Sequence, residues 1–126
     1  APSASTATIS SNLTTVDITS SGAIQCVSLV QTSDSSIKQN VTPCDLETIQ
    51  AVFDQVEVKQ YQRTDVTGDR IGFIAQDLVA VLPDAWSNIT RVTYDSGNSL
   101  CGLDYARLGP TILWGVCKKQ QVRLDQ

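Results

Sequence analysis

Over the first 32 positions, apolar and β-branched residues alternate only in short runs: Val16 with Ile18, then Ile24 with Cys26, beside the cluster Thr14-Thr15-Val16. Strand side chains alternate faces, so this pattern predicts β-structure, but the stretch is too poor in large apolar residues to build a core alone. It either pairs with other copies of itself, as in a β-structured fibre shaft, or is a flexible Ser/Thr-rich linker. Further along, the period changes. Thr42-Pro43 predicts a helix start, with Thr42 as N-cap, Pro43 at the first helical position and Asp45 in the first turn. Leu46, Ile49, Val52, Phe53 and Val56 then share one face, predicting a helix from Thr42 to Val56.

Val56 to Tyr61 reads as a strand and Thr64 to Asp69, with Gly68, as a turn. The segment RIGFIAQDLVAVLPDAW begins extended around Ile71 and Phe73 and turns helical near Ala75. Its apolar residues Ile74, Leu78, Val81 and Leu82 predict a helix within Gly72 to Leu82, which Pro83 stops. Ile89 to Tyr94 and Ser99 to Leu103 flank DSGN as a hairpin. Tyr105 to Leu124 reads as a helix with an apolar seam at Leu108, Ile112 and Val116. It ends while still helical, as a truncated coiled coil would. Residues 33 to 126 are therefore expected to form a small α+β domain after a β-rich segment at 1 to 32.

Composition sharpens that division. Residues 1 to 32 hold thirteen Ser or Thr and one charged side chain, Asp17, whereas both tryptophans and all the other charges follow. The net charge of −4, with pI near 4.5 and no basic cluster, argues against nucleic acid or an anionic membrane as partner. No apolar run reaches the roughly 18 residues needed to span a bilayer. The chain opens APSAS without methionine and is expected to be a piece of something longer, with any targeting signal upstream.

Four cysteines, Cys26, Cys44, Cys101 and Cys117, lack CxxC spacing, and there is no histidine, so neither a metal site nor a cofactor is expected. The cysteines fit disulfides or buried free thiols. Without histidine, a nucleophile must take its base from lysine, a carboxylate or the backbone.

That restriction draws attention to TSDSSIKQN, residues 32 to 40, where charge first becomes dense. Turn-forming residues of this kind suit a surface loop. They also suit a Ser/Lys pair: a lysine amine made neutral by burial can take the proton of a serine hydroxyl, and Ser33 and Lys38 can meet across one turn.

Three segments in order, SDSSIKQNVTP, GFIAQDLVAVLPD and LDYARLGPTILWGVCKKQ, resemble the C-terminal intramolecular chaperone domain of phage tailspikes, endosialidases and tail fibres. This autoprocessing serine peptidase family also occurs in myelin regulatory factor-like proteins. The resemblance covers residues 32 to about 120 and implies a homotrimeric domain that assembles the fibre upstream and is then released by self-cleavage. On this resemblance Ser33 matches the nucleophile and Lys38 its base. Asp34 stands where the family has Asp or Asn, Thr32 and Asp34 flank the cut, and Asn40 and Gln76 are supporting candidates. The family favours rupture of Ser33-Asp34, whereas an N-to-O acyl shift favours Thr32-Ser33. The cysteines and Trp86 depart from the family pattern.

The implied partners are other copies of the chain and the upstream shaft, and the implied setting is a virion fibre or tailspike precursor made in the host cell. Two other readings stand beside this one. The same fold could be a cap that never cleaves, or the chain could be a small β-rich adhesin or carbohydrate-binding module stacking sugars on Trp86, Trp114 and Tyr94. Sequons at Asn12, Asn40 and Asn88 matter only in a host with a secretory pathway.

Overall fold

The computed structural model of the protein describes residues 6–95 and 98–125. The chain forms two compact units, residues 1–40 and 41–126. In the first, residues 6–34 form neither strand nor helix, and every described side chain is exposed. The strands expected around Val16, Ile18 and Ile24 are thus not formed in the single chain. A strand needs a neighbour for its backbone N–H and C=O groups, and this composition supplies none within the segment. Among the described residues of this unit, the regular structure is a 3-10 turn at Ser35–Ile37.

The second unit is α+β. Helix α1 spans Leu46–Gln55 and is followed by strands β1 (Lys59–Gln62) and β2 (Asp69–Gly72). Helix α2 (Ala75–Val79) leads through a second 3-10 segment, Asp84–Ile89, into strands β3 (Thr90–Asp95) and β4 (Asn98–Leu103), and helix α3 (Tyr105–Leu124) follows. β1 pairs antiparallel with β2 in the register Lys59 to Gly72, with Gly68 in the connection at φ 111°. β3 pairs antiparallel with β4 from Thr90 opposite Leu103 to Asp95 opposite Asn98. Ser96 and Gly97, the centre of the expected DSGN turn, lie outside the described residues.

The start of α1 corrects the sequence reading. Its N-cap is Asp45, not Thr42. The Asp45 carboxylate accepts from Glu47 N at 3.3 Å and from Thr48 Oγ1 at 2.8 Å, so one side chain serves two donors of the first turn. Hydrogen bonding by the Thr48 hydroxyl, and then by the Glu47 N–H, holds the carboxyl below the usual carboxylate range. Helix α2 is likewise shorter than expected, because Gly72 ends β2 and the chain leaves the helix at Ala80 in tight turns onto the Leu78 carbonyl. Val56 caps the end of α1, and β1 therefore begins at Lys59 rather than Val56.

One core joins these pieces: Ile49 and Val52 of α1, Leu78 of α2, Ile89, and Leu108, Ile112 and Val116 of α3. The α3 seam at Leu108, Ile112 and Val116 is therefore buried against α1 within the chain, which corrects its reading as a coiled-coil seam. The two helices come close at Gly115, where a Cβ would stand 2.5 Å from Ile49 Cδ1. Lys119 Nζ adds an ion pair to Glu47 Oε2 at 3.1 Å. Helix α3 continues through Pro110 although proline forfeits an amide donor; the packing of Leu108, Ile112 and Val116 on both sides of it holds the helix in place. Trp86 is half-buried against the core.

Candidate active site

The site is built by six consecutive residues. Asp34 has extended backbone and caps the 3-10 turn, its carboxylate accepting from Ser36 N at 2.8 Å. Ile37 N donates to the Asp34 carbonyl at 3.3 Å and Lys38 N to the Ser35 carbonyl at 3.1 Å. The tight winding brings residue 38 back over residue 33, and Lys38 Nζ donates to Ser33 Oγ at 2.6 Å. The hydroxyl and amine proposed from spacing thus meet across one turn.

All residues from Thr32 to Asn40 are exposed. In this contact Lys38 Nζ is the donor, whereas a base for the serine must be the acceptor. Hydrogen bonding from the Ser36 side chain, then from its backbone N–H, keeps the Asp34 carboxyl below the usual range. Asn40 adopts φ 54°, a left-handed conformation that asparagine tolerates better than β-branched residues do. Thr32 precedes the serine in extended chain without regular structure.

Gln76 belongs to the second unit, where it is exposed near the start of α2 and its carbonyl accepts from Ala80 N at 3.2 Å. The motif around it is organised by two tyrosines that sequence reasoning did not connect. Tyr105 Oη accepts from Phe73 N at 3.0 Å and donates to the Phe73 carbonyl at 3.4 Å, and the two rings lie 6.0 Å apart. Hydrogen bonding with Tyr105 is the main cause of a Tyr61 hydroxyl pushed above the usual phenol range. Gly72 makes room for the pair: a Cβ there would stand 2.7 Å from Tyr105 Oη and 2.9 Å from Tyr61 Oη. Gly72→Ala is therefore expected to destabilise the fold by about 1–3 kcal/mol through overpacking. Adding Tyr105→Phe removes the nearer oxygen, so a double-mutant cycle by urea unfolding should show coupling between the two positions.

Among the described residues no three His, Cys, Asp or Glu side chains gather as a metal-binding group. The four thiols are free, with Cys26, Cys44 and Cys117 exposed and Cys101 half-buried, so the expectation of buried thiols fails for three of them. Trp114 is exposed, while the Tyr94 side chain lies outside the described residues.

In the chain a serine and a lysine that share one exposed turn precede a small α+β domain. A family model described as chaperone of endosialidase, Peptidase_S74, matches residues 33–87. Residues 33–87 are thus similar to that chaperone family, as SDSSIKQNVTP and GFIAQDLVAVLPD indicated, and the family's name is that of a serine-type peptidase. The match begins at Ser33, and LDYARLGPTILWGVCKKQ lies beyond its end. No curated protein matches the chain.

Proposed function

We propose that this chain is an intramolecular chaperone that assembles a homotrimeric viral fibre or tailspike and is then released by self-cleavage beside Ser33. The observation that carries the reading is the 2.6 Å contact between Lys38 Nζ and Ser33 Oγ at the first residue of the family match. Burial of the turn on assembly disfavours the ammonium and frees the amine to accept the serine proton. Ser33 Oγ then attacks the Thr32 carbonyl through a five-membered ring. The Thr32-Ser33 C–N bond breaks, the proton passes to the Ser33 nitrogen, and Thr32 is left as an ester on Oγ. Water hydrolyses the ester, giving a Thr32 carboxylate and a piece that begins with Ser33. Attack on the serine's own carbonyl would require a four-membered ring, which favours Thr32-Ser33 over Ser33-Asp34.

Exposed apolar surface on both units supports assembly with further copies. Val16, Ile18, Val27 and Val30 stand exposed in the first unit, as strands awaiting partners would. In the second, an open groove of about 320 Å³ lies over Leu78 and Leu108, walled by Phe53, Val58 and Leu113. Leu113 continues it onto an outer face of α3 with Pro110, Trp114 and Cys117. Trp114 is 71% exposed and Leu124 83%. Apolar surface of this extent marks an interface, and a protruding tryptophan is the residue type that most often dominates one.

Intact-mass measurement of the full chain tests the reaction. A piece beginning at Ser33 and an uncut Ser33→Ala chain are the expected results; cutting that persists in Ser33→Ala means a foreign protease. A chain that remains whole while forming trimers is the non-cleaving cap. Light scattering should give three chains, and Trp114→Ala should weaken association at least about tenfold. A monomer at every accessible concentration would remove the assembly reading.

A further inference from the structure

We propose that Asp34 is a positioning residue for the self-cleavage: its carboxylate holds the turn that returns Lys38 to Ser33. The inference rests on the Ser/Lys reading and adds a residue to it. Between Ser33 and Lys38 the chain must fold back on itself in an exposed segment, where no neighbouring core fixes the backbone. What fixes it locally is a short ladder: Ser36 N to the Asp34 carboxylate at 2.8 Å, Ile37 N to the Asp34 carbonyl at 3.3 Å, and Lys38 N to the Ser35 carbonyl at 3.1 Å. The first of these is the side-chain bond, and it closes the turn from the serine side. Without it, the two backbone bonds alone hold the turn, and the lysine spends less time beside the serine.

An acidic residue next to a catalytic pair could instead act by its charge. The geometry points the other way. Asp34 directs its carboxylate at Ser36, and the hydrogen bonds of Ser36 account for its lowered proton affinity, with Lys38 not among the causes. Asp34 and Lys38 are the only charged side chains between Thr32 and Asn40, so no third group on the turn obscures the distinction. A cap and a charge are separated by one isosteric change: asparagine keeps the accepting oxygen and caps about as well as aspartate, whereas alanine removes the oxygen.

The test compares self-cleavage rates of the full chain carrying Asp34→Ala or Asp34→Asn, each across a pH series. Asp34→Ala is expected to slow cleavage about fivefold, the usual effect of losing a cap on the population of the structure it closes. Asp34→Asn is expected to stay within about twofold of the original chain with the same pH profile. Cleavage at the original rate in Asp34→Ala, an equal loss in both variants, or a shifted profile in Asp34→Asn would each overturn the proposal. A second measurement is independent of cleavage. In a Ser33→Ala background, amide hydrogen exchange at Ser36 and Lys38 should accelerate about fivefold with Asp34→Ala and stay unchanged with Asp34→Asn. Unchanged exchange in Asp34→Ala would sink the capping role. Persistent cutting in Ser33→Ala would instead remove the dyad and leave exchange to decide the turn.

Discussion

Lys38→Arg is expected to leave the chain whole while it still assembles. Arginine preserves length, positive charge and the capacity to donate to Ser33 Oγ, so it retains the ground-state contact seen at 2.6 Å. It cannot serve as base, because a guanidinium does not give up its proton in proteins. Loss of a positioned base slows such a reaction by about 10²–10⁴, enough to turn complete processing into a single full-length band on a gel. The proposed reaction ties cutting to assembly, since it relies on burial of the now exposed turn to make Lys38 a base. Diluting the chain below its association range should therefore stop cleavage. Arginine that processes normally would show that Lys38 only positions the serine.

Leu78→Ala should produce the largest loss of stability. Leu78 is fully buried, and α1, α2 and α3 all contribute side chains to the cluster around it. Leucine-to-alanine changes in such cores cost about 2–5 kcal/mol, against a total of about 5–15 kcal/mol for a typical domain. Thermal unfolding followed by circular dichroism should move down by at least about 10 °C. A shift of only a degree or two would mean that the neighbouring groove collapses to fill the space. Processing should fail here as well, but with the fold, whereas Lys38→Arg should keep the original unfolding temperature.

The sequence was most legible where a pattern had one physical meaning. Ile49 and Val52 share a helix face and are buried, and the segments on either side of DSGN became β3 and β4. Patterns that two partners could satisfy were read less well. The α3 stripe was assigned to another copy of the chain, yet Ile49 and Gly115 let α1 approach closely enough to cover it from within. Thr42-Pro43 has the composition of a helix start, but Asp45 satisfies two donors of the first turn at once. The meeting of Ser33 with Lys38 was open to sequence reasoning because five residues span one turn. The Tyr105 bond to Phe73 joins residues 32 positions apart, and no local pattern encodes such a distance.

The exposure of the dyad has a consequence for specificity. A protease that meets its substrate by diffusion must recognise it, and recognition takes a pocket and binding energy. In the proposed reaction the acyl group under attack belongs to the residue bonded to the nucleophile, so its effective molarity is set by covalent geometry. Under the proposed reaction, residues upstream of Thr32 need not be read at all, and different shafts could precede the same domain and still be processed. The reaction is also stoichiometric. The released piece would carry both Ser33 and Lys38 intact, yet it would have lost the one carbonyl that connectivity had placed within reach, and an intact neighbour in the same solution would be safe from it.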